Sequence, residues 1–370
     1  MVAALTPALI ALLSFVLRIK DLAKPKGYVF DELYYVDAAR DYLKYGVEVD
    51  GSKPEFIVHP PLGKWCIALG MKIFGENEFG WRIGVAVAGT LLILVGARLA
   101  HVLFYSPFLT AITAALMAFD GLLLVHSRTA LLDLYLALFI LVACYFWLRE
   151  KFWLSGLFFG AALATKWSAI YFIALFASVV IYRASRSNRA SIGYRLLQCG
   201  ALPLLVYATT WIGWLLSDRG WDRNHSSNPF ISLFHYHLEM LNFHTSLTED
   251  HPYQASPWGW LIMDRPTSFF YESAQTCGAT KCSQEVLALG TPLLWWAGTL
   301  ALIYLVVLFV MKFIDRIQDK ALTFILMGVA AGYLPWFLFP NRKVFSFYSI
   351  LGSSISYEDW HARMWLTSWI

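Results

Sequence analysis

The sequence predicts an all-α polytopic membrane protein, and three observations carry that expectation. The 370-residue chain is 58% hydrophobic with a mean hydropathy of +0.56, and only 15% of it is charged, against about a quarter in an ordinary soluble domain. Apolar runs recur along most of the chain. The net charge of +4 is small and suits cytoplasmic connectors rather than a nucleic-acid surface.

Hydropathy places about nine membrane segments before Pro340. The first, 3–19, is followed by no small-residue cleavage site and reads as a retained helix. Segments 81–104, 108–124 and 130–148 follow. The runs 153–166 and 168–182 have no clear polar break between them, and two short helices or a re-entrant pair fit equally. Segments 196–217, 289–311 and 321–340 complete the set.

Short loops carry Arg149 and Lys151, then Arg183, Arg186, Arg189 and Arg195, then Lys312, Arg316 and Lys320. The positive-inside rule makes these loops cytoplasmic, and alternation puts the N-terminus there too. The loop 20–80, the turn 125–129, the junction near Lys166, the loop 218–288 and the end at Asn341-Arg342 then share the opposite face. The loop 218–288 is too long for a simple connector. Its Trp221, Tyr236, Trp258, Trp260 and Tyr271 predict order at the membrane surface.

That face carries the polar clusters. Asp31-Glu32, at the mouth of the first helix, is costly to place there. Such carboxylates serve as solvated loop residues, metal ligands or a general base. In His59-Pro60-Pro61-Leu62-Gly63-Lys64 the prolines force an extended turn, and Lys64 either snorkels or meets a lipid phosphate. Arg82 is a boundary anchor or a bidentate phosphate clamp. Arg128 and Asp133 are expected to form a clasp between two helices, with Asp120 facing a cavity. Lys166 interrupts apolar sequence and is expected to line a polar cavity. His251-Pro252-Tyr253 and Ser256-Pro257-Trp258 suggest a platform for a sugar or a headgroup. The spacing of His235, His237, His244 and His251 fits no standard ligand pattern, so no metal site is expected. Cys277 and Cys282 are spaced to close a small disulfide in an oxidising compartment. No Gly-rich phosphate loop, Ser-His-Asp order or dinucleotide fingerprint is present. A soluble nucleotide donor therefore has no cradle, whereas a charged substrate on a lipid does.

These residues, in this order, resemble the protein O-mannosyltransferase family, in the actinobacterial form that lacks an extra C-terminal β-trefoil domain. The resemblance rests on Phe30-Asp31-Glu32, His59 to Lys64, Arg82, Asp120-Gly121, Ser127-Arg128, Leu132-Asp133, Thr165-Lys166-Trp167, the His251 to Trp258 stretch, Leu334-Pro335-Trp336 and Arg342. It implies a GT-C helical bundle over residues 1–350. It also implies transfer of mannose, with inversion, from a polyprenyl-phosphate carrier to Ser or Thr hydroxyls of exported polypeptides, in contact with the export machinery. Carried over, Asp31 is the general base and Glu32 its support. His59, Lys64, Arg82, Asp120, Arg128, Lys166, His251 and Arg342 are donor or substrate contacts. The carboxylates are compatible with a divalent cation, but the spacing requires none. The tail 351–370 departs from the family, whose relatives continue with further apolar helices, and predicts a truncation or frame change near residue 350. Two other readings remain: another GT-C sugar transferase with a lipid or glycan acceptor, and a transporter.

Overall fold

The structure is a computed structural model that describes residues 2–49, 58–187, 189–247, 250–273, 278, 281–340 and 342–351. The Cys277–Cys282 pair and the tail after residue 351 thus fall wholly or partly outside the described residues.

Helix α1 (Val2–Ile19) shows how membrane packing inverts the soluble pattern. Leu5, Leu9, Leu12 and Leu13 are more than half exposed, while Ala11, Ser14 and Arg18 are buried. Hydrocarbon accepts the leucines, and small or polar residues mediate helix contact. The loop 20–80 is not a plain connector. It holds α2 (Glu32–Tyr45), closed by Gly46 in the left-handed region (φ 76°), and α3 (Leu62–Phe74), which starts after the Pro60-Pro61 turn. Helix α4 (Glu78–Phe104) begins where the Asn77 side chain accepts from Gly80 N at 3.0 Å.

The run expected to span 108–124 is broken. Helix α5 (Pro107–Phe119) stops at Asp120, which caps the short α6 (Gly121–His126) by accepting from Leu123 N at 2.9 Å. Helix α7 (Leu132–Leu148) is buried on nearly every side and forms the centre of the core. Helices α8 (Phe152–Leu163) and α9 (Ala169–Ser187) are separate, broken at residues 164–168. The expected span 196–217 is segmented into α10 (Ile192–Leu196), a π-helical turn (Leu197–Ala201), α11 (Leu202–Thr209) and α12 (Ile212–Leu216).

Gly156 and Gly160 explain the close packing of α8 on this segmented stretch. A Cβ on Gly160 would sit 2.6 Å from Val206 Cβ and 2.9 Å from Pro203 Cα, and one on Gly156 would strike the Gln198 carbonyl. Gly160→Ala is expected to cost about 1–3 kcal/mol by overpacking. Gly193→Ala, with nothing within 4 Å of its Cβ, should leave stability unchanged or slightly raised. Thermal unfolding in detergent compares the two.

The long loop is ordered, as its aromatics predicted, but not purely helical. It holds α13 (Pro229–Ser246), α14 (Pro257–Trp260) and an antiparallel hairpin of β1 (Thr267–Glu272) and β2 (Gln284–Ala288), with a register shift between Ser268 and Phe270. Helices α15 (Pro292–Ile314) and α16 (Lys320–Tyr333) follow, α16 running on into a 3₁₀ turn, Leu334–Leu338. Four described helices are long and apolar enough to cross a membrane: Glu78–Phe104, Ala169–Arg186, Pro292–Ile314 and Lys320–Leu338. Four shorter apolar helices accompany them, so the structure is a multi-pass helical bundle.

Candidate active site

A cavity of about 510 Å³ opens where several segments meet: the start of α2, the turn before α3, the start of α7, the α8–α9 break with the first turn of α9, the end of α13 with His251, and the stretches 336–339 and 342–351. Asp31, His59, Lys166, His251 and Arg342 all line it. Glu32, Lys64, Arg82, Asp120 and Arg128 do not, and each has a definite task elsewhere.

Asp31 sits at the N-cap of α2 yet makes no side-chain capping bond there. Its neighbour Phe30 holds φ 51°, a strained conformation for an aromatic residue. Aromatic packing fixes it: Phe30 stacks on Phe269 of β1 at 4.7 Å and meets the edges of Phe345 and Phe347 at 6.1 and 5.5 Å. Burial pushes the Asp31 carboxyl up to about 6, with Lys166 lowering it, Asp133 raising it and the hydrogen bond from Tyr35 lowering it.

Glu32 points the other way, into the protein. Arg82 donates to it through Nε (2.8 Å) and Nη2 (2.7 Å), and both side chains are fully buried. Backbone Val29 N and Ala130 N also donate to the carboxylate, at 2.9 and 2.8 Å. Arg82 further donates to the carbonyls of Pro25 and Gly27, both at 2.8 Å. The guanidinium fork thus orders the chain just before Asp31 rather than facing the cavity. Lys64 is likewise buried, donating to Glu48 and, at 2.8 Å, to the His59 carbonyl.

The expected Arg128–Asp133 clasp is replaced by two other pairings. Lys166 donates to both Asp133 oxygens at 2.9 Å. Arg128 instead donates to the carbonyls of Leu17, Arg18 and Lys20 at 2.7–3.0 Å, capping the C-terminus of α1. Asp120, expected to face a cavity, is fully buried and also accepts from Thr291 N (3.2 Å) and Trp295 Nε1 (2.8 Å), tying the α5–α6 break to α15.

The far wall carries neutral imidazoles and a cation. His244 Nε2 donates to the Val58 carbonyl at 2.9 Å, so Nδ1 is free to accept from Arg342 Nη2 at 3.2 Å. Burial, then the Arg342 charge, pushes His244 down to about 4. Burial likewise holds His59 well below the usual histidine range, and its Nδ1 is buried without a partner. Arg342 has no carboxylate partner among the described residues. Lys166 lies 5.3 Å from the Tyr348 ring centroid and Arg342 5.8 Å from that of Trp336. His244 and Asp133 were missed as cavity residues. His237 and His244 lie two turns apart on α13 and both face Trp167, a spacing readable as one helix face.

A helical membrane bundle with a carboxylate–cation cavity at the start of α2 has the architecture of a GT-C glycosyltransferase. The protein O-mannosyltransferase complex of S. cerevisiae bound to the sugar donor superposes with a TM-score of 0.80 at 14% identity, covering 97% of this chain and 84% of that one. Residues 8–208 match the family described as dolichyl-phosphate-mannose-protein mannosyltransferase, and residues 229–349 match the C-terminal four-transmembrane region of protein O-mannosyltransferase. The polyprenol-phosphate-mannose–protein mannosyltransferase of Corynebacterium glutamicum is 30% identical over 93% of this chain and 79% of its own length. Its Mycobacterium tuberculosis counterpart is 30% identical over 92% and 76%. The chain therefore belongs to the protein O-mannosyltransferase family.

Proposed function

We propose that the chain transfers mannose from a polyprenyl-phosphate carrier to Ser or Thr hydroxyls of exported polypeptides, in the cell membrane and on its extracytoplasmic face. The observation that carries this reading is the cavity itself, where the buried Asp31 carboxylate shares the lining with Lys166 and with Arg342, which has no acidic partner among the described residues. Asp31 takes the hydroxyl proton as the oxygen attacks the anomeric carbon. The bond to the carrier phosphate breaks on the opposite side, its electron pair leaves with the phosphate, and the sugar centre inverts. Arg342 and Lys166 offset the charge that develops on the leaving phosphate. The open Nδ1 of His59 accepts from a sugar hydroxyl, while Trp336 and Tyr348 supply aromatic walls. Glu32, with Arg82, supports Asp31 from behind. The basic loops that the positive-inside rule makes cytoplasmic lie at the opposite ends of α7, α9 and α16 from the cavity-lining residues, which supports the proposed orientation.

The direct test supplies radiolabelled polyprenyl-phosphate mannose and a Thr/Pro-rich peptide to the protein in vesicles. Label in the peptide is expected. Label found only in lipid or polysaccharide would remove the peptide acceptor, and solute flux insensitive to Asp31→Asn would favour a transporter. Within the assay, Arg342→Ala should raise the donor KM about ten- to a hundredfold, as the loss of a hydrogen bond to a charged group predicts.

A further inference from the structure

Outside the catalytic cavity, one cluster of metal-ligating side chains is used by nothing described so far. Asp222 and His225 lie on the turn after α12, and His235 lies on α13. One ligand atom from each falls within 4.8 Å of the other two. His235 Nδ1 is 2.6 Å from Asp222 Oδ2, and His225 Nδ1 is 4.0 Å from Asp222 Oδ1. The two imidazoles stack face to face, 3.6 Å apart and 9° from parallel, so both present Nδ1 to the same carboxylate. Asp222 holds φ 57°, and this left-handed turn brings it to face the α13 histidine.

We propose that Asp222, His225 and His235 form a site for a borderline transition cation, Zn²⁺ in the first instance. Two imidazoles and one carboxylate are a zinc-type donor set. Metal–ligand distances of about 2.0–2.2 Å place ligand atoms roughly 3–4 Å apart. Because the two rings are stacked with parallel lone pairs, one imidazole has to rotate out of the stack about its side-chain torsions for both Nδ1 atoms to converge on one ion. A bound histidine commonly offers its second nitrogen to a carboxylate. Glu239 Oε1, one helical turn on, lies 3.8 Å from His235 Nε2. An open cleft of about 540 Å³, lined by Asp222 and His225 together with Arg219 and Arg223, leaves room for water as a fourth ligand.

The placement defines the role as a brace. The ligand turn is anchored to the segment just after α2, since Trp221 N donates to the Glu48 carbonyl at 3.1 Å and Val49 pairs with Gly220. Glu48 is the partner of Lys64. His235 is on the helix whose far end carries His244 into the cavity. A cation here ties α13 to the Glu48 segment, and so fixes one wall of the cavity from outside.

The test uses the full chain, free of any histidine tag, stripped with chelator and titrated calorimetrically with Zn²⁺ or Mg²⁺ in nanodiscs. One zinc per chain and no magnesium binding are expected. His225→Ala and Asp222→Asn should each weaken zinc by more than about tenfold, and Glu239→Gln by about tenfold. Co²⁺ should give a visible ligand-field absorption that His225→Ala abolishes. His225 is outside the catalytic cavity, so in zinc-free buffer His225→Ala should elute and transfer mannose as the parent does, which separates loss of metal from loss of fold. Zinc binding unchanged in both His225→Ala and Asp222→Asn overturns the proposal. So does zinc binding lost in His244→Ala but kept in His225→Ala, which would put the metal in the catalytic cavity.

Discussion

Asp31→Asn is expected to slow mannosyl transfer by about 10²–10⁴-fold, the usual worth of a positioned general base, with membrane insertion and thermal unfolding unchanged. The carbonyl of asparagine still accepts a hydrogen bond but takes no proton. The same group sets the pH profile. A base works when ionised, and burial has raised Asp31 to about 6, above the ordinary aspartate value near 3.9. Transfer by the wild type should therefore fall as pH drops through about 6. His244, pushed down to about 4, stays neutral through that range and does not generate the limb. The residual activity of Asp31→Asn should lack it. A near-normal rate in that variant, or an acid limb that survives the substitution, would remove Asp31 as the base.

Arg82→Ala is expected to act on folding rather than on donor affinity. Both members of the Arg82–Glu32 pair are fully buried, and removing one partner of such a pair typically costs about 3–5 kcal/mol, because the other charge is stranded. That is a large share of the roughly 5–15 kcal/mol that stabilises a protein. Lower yield of folded protein and an earlier thermal transition are the expected readings. Any folded fraction should keep its donor KM. The combined Arg82→Ala, Glu32→Gln variant should recover part of the loss but not all of it, since Val29 N and Ala130 N also depend on the Glu32 carboxylate. Raised donor KM with intact stability would return Arg82 to the role of a phosphate clamp.

The contrast between these two residues shows what the sequence could and could not disclose. The multi-pass helical character came through because a long apolar run has few alternatives in lipid, but the breaks inside 108–124 and 196–217 did not. Asp31 and Lys166 were legible as cavity residues because charge in such surroundings is costly unless a cavity receives it, whereas Arg342 was singled out only by the family resemblance. The partners of the charged groups were not legible. Glu32 and Arg82 are 50 positions apart, and Lys166 reaches back 33 to Asp133 although Arg128 is far nearer in sequence. Pairing is decided by where helices cross, which hydropathy does not encode. Helices α2 and α3 were hidden inside a nominal loop because partial amphipathicity falls below the signal of a spanning segment. The hairpin of β1 and β2 was hidden by its shortness and its register shift.

The aromatic clamp on Phe30 also bears on when this protein becomes competent during its synthesis. Phe269, Phe345 and Phe347 hold the backbone turn that aims Asp31, and Arg342 arrives from the same late stretch. A growing chain that has already threaded its first helices into the bilayer carries the carboxylate but none of the groups that direct it. On the proposed reading the early half of the polypeptide would be catalytically silent while the ribosome works, because the turn before Asp31 gains its aromatic supports only as the last described segments fold back over the first loop.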